Sequence, residues 1–184
     1  SSRIPVGGQE SCFLSVKNKS NNSTEILEFI SVRYKSHPFL LATNDLIAQT
    51  KLKIEKYDWA KQNFSNLIKA AKTYNIPKRE VVSKKRNTRE WESFNYKPDV
   101  SEKVFQIALA WQLTGDNELR NKAVQFVKDV CDKDKGYLSV GAATTGVQVH
   151  EGNFFMYLAA TCDLLYEASV FSDEDKENIE TTFR

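Results

Sequence analysis

Three stretches of this chain, 44–74, 101–133 and 150–184, carry one pattern: two helical apolar stripes joined by a short polar turn. Their starts lie roughly 50–57 residues apart, and helix pairs recurring at such a period predict a helical solenoid or toroid. The helices are expected near 44–56, 58–74, 100–114, 116–132, 150–168 and 172–184. Thr43 or Asn44 can cap the first and Asp58 the second, and Pro77 ends the second pattern. Asp99 or Ser101 opens the third. In Thr114-Gly115-Asp116 the glycine ends one helix and the aspartate caps the next. Ser172, followed by Asp173, Glu174 and Asp175, opens the sixth, where the helix dipole favours acids. The last helix runs into Arg184 without a C-cap signal, so further helix pairs are expected after it.

Residues 1–36 read differently. CFLSV and EILEFISVRY are β-prone runs around the polar turn KNKSNNST. The expected organisation is therefore an extended or β segment at 1–36 and an all-helical part at 37–184. Asn18, Asn21, Asn22 and Asn63 begin N-x-[ST] sequons, a weak signal in Asn/Ser-rich loops.

The formal net charge is only +2, but it is unevenly spread. Residues 1–98 hold 18 Lys+Arg against 9 Asp+Glu, a balance of +9; residues 99–184 hold 8 against 15, a balance of −7. A polyanion partner, two mutually attracting halves and scattered surface charge all fit this asymmetry. No apolar run reaches the ~18 residues of a membrane span. The first residues contain no apolar core of a secretory signal. Cys12, Cys131 and Cys162 fall in no metal-ligand spacing, and His37 and His150 stand apart from them, so no metal is expected. Cys131 and Cys162 read as buried free thiols.

The stretch KKRNTREWESFNY, 84–96, is read as a basic, non-periodic loop. Arg86 and Arg89 can fork onto a carboxylate or sulfate. Trp91 and Tyr96 can stack on the apolar face of a sugar ring. A solvated loop whose aromatics pack on the helices is the competing reading. Single-stranded nucleic acid would also suit a basic-aromatic mix, but no RNA-binding or zinc motif accompanies it, so no nucleic-acid partner is expected. His150 follows a Gly-rich loop and can move a proton near neutral pH, with Glu151 to orient it. Asn153 and Tyr157, three and seven residues on, share its helical face. Helix capping by His150 and Glu151, and core packing by Tyr157, are the alternatives. Trp59 and Trp111 sit on apolar stripes and are expected to pack. His37, before Pro38, reads as structural.

Three segments, in order, carry a family resemblance. HPFLLATNDLIAQTKLKIEKYDWAKQNFSNLIKAA, VFQIALAWQLTGDNELRNKAVQFVKDV and GVQVHEGNFFMYLAATCDLLYEASVFSDEDKENIETTFR resemble successive helix pairs of alginate lyase and heparinase II/III-type polysaccharide lyases. The resemblance spans about residues 37–184. It implies a mainly α fold of paired antiparallel helices, part of an incomplete (α/α) toroid whose concave cleft holds an acidic polysaccharide. It also implies β-elimination at a uronate, no cofactor, and a periplasmic or secreted protein. From their own chemistry, His150 and Tyr157 are the candidates for proton transfer, with Arg86, Arg89, Trp91, Tyr96, Glu151 and Asn153 on the glycan. The family neutralises the uronate with an Asn-His pair and uses a later Tyr as base or acid; no Asn-His dipeptide occurs here, so the resemblance implies that this core catalytic set follows Arg184 and that residues 37–184 hold part of the substrate cleft. A non-catalytic helical-repeat module binding a glycan or protein is the other expectation.

Overall fold

A computed structural model describes residues 9–18, 20–21, 23–32, 36–77, 80–86, 89–95, 99–137 and 148–184. The chain divides into two units, Ser1–Ser36 and His37–Arg184.

The first unit is a β-hairpin. Strand β1, Gln9–Lys17, pairs antiparallel with β2, Thr24–Val32, in a register that joins Gln9 to Val32 and Lys17 to Thr24. The connection closes itself. Asn18 Oδ1 accepts from Ser20 N at 2.8 Å, and Asn21 Oδ1 accepts from Ser23 N at 3.0 Å. These asparagine turns are the local alternative to continued strand that short polar side chains provide.

The second unit is mainly helical. Its elements are α1 (Asn44–Lys56), α2 (Asp58–Thr73), the strands β3 (Glu80–Arg86) and β4 (Arg89–Asn95), α3 (Asp99–Thr114), α4 (Asn117–Cys131), α5 (Gln148–Leu165), a 3₁₀ turn at Tyr166–Ala168, and α6 (Asp173–Phe183). The helix ends follow their local signals. Thr43 Oγ1 accepts from Leu46 N at 3.2 Å, and Asp116 Oδ1 accepts from Glu118 N at 3.0 Å. Ser172 and Asp175 form a reciprocal capping box at α6. Gly115 adopts φ +75°, the left-handed conformation that stops α3 and lets α4 start two residues later. Asp58 is the first residue of α2 rather than its cap, and pairs with Lys61 at 3.1 Å.

Burial follows the helical period. On α4, Leu119, Ala123, Phe126, Val127, Val130 and Cys131 form one buried stripe. On α3 the buried positions include Val100, Val104, Ile107 and Ala108. The C-terminal half of α5 is buried on every side: Leu158, Thr161, Cys162, Leu164 and Leu165 are all in the core. Such a helix lies between others, and α5 does pack against both α3 and α4. Each fully buried Leu or Val contributes about 1.5–3 kcal/mol by leaving water.

Two contacts fix the relation of α3 to α5. Phe105 meets Tyr157 with ring centroids 5.7 Å apart, and Gln112 Nε2 donates to Leu164 O at 2.8 Å. Both pairs are offset by 52 positions, so α3 and α5 run parallel, in step, with α4 as the return. Helix α4 in turn packs against α6, bridged by Lys128–Asp175 at 2.6 Å and Lys133–Glu174 at 3.0 Å.

Two expectations are corrected. The stretch 84–96 is largely a β-hairpin, not a loop, with Glu80 opposite Asn95 and Arg86 opposite Arg89 around residues 87–88. Two seven-residue runs separated by two residues are a hairpin spacing; the density of charge within them hid it. Trp59, expected to pack, is 62% exposed. The buried face of α2 runs through Ala60 and Ala71, and Trp59 falls beside it, stacked on Tyr57 at 6.1 Å. Trp111 does pack against the core, and Cys131 and Cys162 are buried and free.

Candidate functional site

The sequence-derived candidates fall on two elements. The hairpin β3–β4 leaves the chain just after α2 and rejoins it just before α3. Its register sets Arg86 against Arg89 on the last rung and Lys84 against Trp91 two rungs below. The other set lies on α5: His150 and Glu151 in its first turn, Asn153 exposed, and Tyr157 half-buried one helical turn further. Tyr157 is held by Phe105 of α3. Tyr96, and the side chains of Arg86, Arg89, Trp91, His150 and Glu151, lie outside the described residues.

A third cluster gathers round His37, whose partners lie far along the chain. Asp163, 4% exposed near the end of α5, accepts from His37 Nδ1 at 2.5 Å and from the backbone N–H groups of Phe39 and Leu40 at 2.8 Å each. The His37 backbone N–H donates to Glu167 Oε1 at 3.0 Å. The imidazole lies between Phe39 and Tyr166, with centroids 4.8 and 4.4 Å away. The His37–Pro38 peptide is cis. A buried carboxylate saturated by three donors in this way fixes the chain leading into α1.

The fourth feature is a cleft where α2 ends against α3, about 330 Å³ in volume. It is lined by Ala70, Ala71, Tyr74 and Asn75 from the α2 end and by Lys103 and Gln106 from α3. Lys122 Nζ, from α4, donates to the carbonyls of Ala71 at 3.3 Å and of Tyr74, so the exposed carbonyl end of α2 is already satisfied by a cation. Lys72 pairs with Asp116 at 3.1 Å. Burial and the nearby charge of Asp99 raise the Tyr74 phenol above its ordinary value, so it stays a protonated donor.

Among the described residues, no group of three or more His, Cys, Asp or Glu is placed to hold a metal ion. No helix among them is long and apolar enough to cross a membrane. Comparison with protein-family models, with curated proteins and with solved structures gave no match.

Proposed function

We propose that this chain belongs to a polysaccharide lyase, where it forms part of an (α/α) toroid and contributes binding surface for a uronate-containing polysaccharide. The observation that carries the reading is the hairpin at 80–95. It inserts Lys84, Lys85, Arg86 and Arg89, with Trp91, between two consecutive helices. A cationic, aromatic ribbon on a helical scaffold suits a polymer that carries a carboxylate on each ring. The parallel pairing of α3 with α5, with α4 returning between them, agrees with a toroid of helix hairpins.

The chemistry is β-elimination at a 4-linked uronate. Donors neutralise the carboxylate, which acidifies the C5 proton. A base removes that proton, and an acid protonates the departing glycosidic oxygen. In this reading His150 is the base, oriented by Glu151, Tyr157 is the acid, and Asn153 binds the sugar. No cofactor takes part. The setting is the periplasm or outside the cell.

One observation favours the second reading, a helical module that binds glycan without cleaving it. Tyr157 is half-buried against Phe105, a packing contact that competes with a proton-transfer role. Binding and cleavage separate in one experiment. Titrate the chain calorimetrically with alginate, heparan sulfate and hyaluronan, then follow the absorbance of unsaturated product. Saturable binding that added salt and the double variant Arg86→Ala/Arg89→Ala both weaken supports the glycan reading. Product formation above a buffer control, lost in His150→Ala, assigns the lyase chemistry to these residues. Binding without product selects the module, and absence of binding to every polyuronate overturns both.

A further inference from the structure

The cleft between the end of α2 and α3 has the make-up of a ligand site that the hairpin does not account for. At about 330 Å³ it lies at the lower end of the ~300–1,000 Å³ usual for small-molecule clefts, which suits a single ring rather than a polymer. Its composition is mixed in a particular way. Ala70, Ala71 and the Tyr74 ring are apolar, while the Tyr74 hydroxyl, Asn75 and Gln106 offer hydrogen bonds. Polar groups arranged round a small apolar surface match a pyranose, which has hydroxyls at its rim and C–H groups on its faces.

Charge decides the class of ring. Among the described residues, Lys72, Lys103 and Lys122 stand around this end of α2. Lys122 is bound to the carbonyls of Ala71 and Tyr74, and Lys72 to Asp116. Lys103, half-buried in the cleft lining, has no ion-pair partner among the described residues. Two acids lie near it on α3: Glu102, which accepts from Gln106 Nε2 at 3.3 Å, and Asp99, whose charge reaches Tyr74; neither forms an ion pair with Lys103 among the described residues. With Lys122 neutralising the carbonyl end of α2, an anion entering the cleft meets a free ammonium rather than bare helix carbonyls.

We propose that this cleft binds one uronic-acid ring, with Lys103 on its carboxylate and Tyr74, Asn75 and Gln106 on its hydroxyls. The inference rests on the polyuronate reading above and gives it a subsite. In the chain the hairpin follows α2 and precedes α3, the two helices whose ends line the cleft.

The test uses the whole 184-residue chain with D-glucuronate, D-glucose and inorganic phosphate, by calorimetry and by NMR shifts of the Asn75 and Gln106 side-chain amides. Saturable glucuronate binding is expected, with glucose and phosphate each at least about tenfold weaker. Lys103→Met should weaken glucuronate about tenfold or more, and Lys103→Arg should restore most of it, as loss of one charge-assisted hydrogen bond predicts. Circular dichroism confirms that both variants fold. Equal affinity of wild type and Lys103→Met for glucuronate overturns the proposal, as does phosphate binding as tightly with the same amide shifts. Alginate binding without glucuronate binding overturns the cleft and leaves the polyuronate reading standing. Glucuronate binding that depends on Lys103, without alginate binding, does the reverse.

Discussion

His37 Nδ1 and Asp163 Oδ1 lie 2.5 Å apart, although 126 residues separate them in the chain. The contact joins the segment entering α1 to the end of α5, so it ties the first helix of the second unit to its most buried one. Asp163 also takes the N–H groups of Phe39 and Leu40, which makes it an anchor for backbone as well as for the imidazole.

Asp163→Ala should therefore be among the most damaging single changes. It removes three hydrogen bonds and leaves donors in a buried place, a loss of about 3 kcal/mol or more. Asp163→Asn keeps one oxygen for the two backbone amides and should lose less, about 1–2 kcal/mol. Urea unfolding followed by circular dichroism gives both values. Equal losses for the two variants would show that the backbone amides contribute little.

The two glycines that close helices should respond for different reasons. A Cβ on Gly136 would collide with the carbonyls of Asp132 and Val130, in a turn tied by Gly136 N to Asp132 O at 2.7 Å and Tyr137 N to Val130 O at 2.8 Å. Gly136→Ala should destabilise by about 2–4 kcal/mol, because backbone must move. Nothing lies within 4 Å of a Cβ on Gly115, but its φ of +75° strains any L-residue. Gly115→Ala should lose about 1 kcal/mol, and Gly115→Asn less. Thermal melts of the three variants test the order.

The buried thiols make a chemical prediction with a pH sign. Burial pushes the Cys131 thiol up to about 11, against 9.0 ordinarily, and it pushes Cys162 well above that ordinary value. In a Cys12→Ser background, both should resist a thiol reagent at pH 8 in the folded state and react at once in denaturant. Between pH 9 and 11 the unfolded chain binds fewer protons at these thiols than the folded one. Stability should then fall as pH rises through that window, by at most about 1.4 kcal/mol per pH unit for each thiol. Denaturation midpoints of the Cys131→Ala variant, with a shallower decline above pH 9, check the assignment.

The start of α6 predicts the opposite sign at acid pH. Burial tends to raise the Asp175 carboxyl, but the bonds from Lys128 and Ser172 outweigh it and hold it below the usual aspartate value. Its contribution is present above about pH 4 and is lost as pH falls through the depressed value. Ser172→Ala should remove the capping box at a loss of about 1 kcal/mol at pH 7. Its effect should shrink at acid pH, as Asp175 takes up a proton below the ordinary aspartate range. Denaturant midpoints at pH 7 and pH 3 make the comparison.

Helix positions in this protein are written locally. Thr43, Gly115 with Asp116, and Ser172 with Asp175 act on backbone within three or four residues, so their caps can be read without a fold, and the stripe on α4 shows which face is buried. The hairpin of Gln9–Lys17 with Thr24–Val32 is equally local, since Asn18 and Asn21 shape its connection. Tertiary structure decided what depends on distant partners. Asp163 looks like an acid in an apolar helix until His37, Phe39 and Leu40 arrive to satisfy it. Trp59 sits on an apolar stripe yet stays exposed, because the direction of α2 against α3 and α4 selects Ala60 and Ala71 for burial. Lys103 resembles the other lysines until Lys122 and Lys72 are seen to be engaged while, among the described residues, Lys103 has no ion-pair partner. Hydrogen bonds across 126 positions, and the choice among similar charges, depend on which surfaces meet, and that is set by packing of the whole core rather than by any residue's neighbours in the chain.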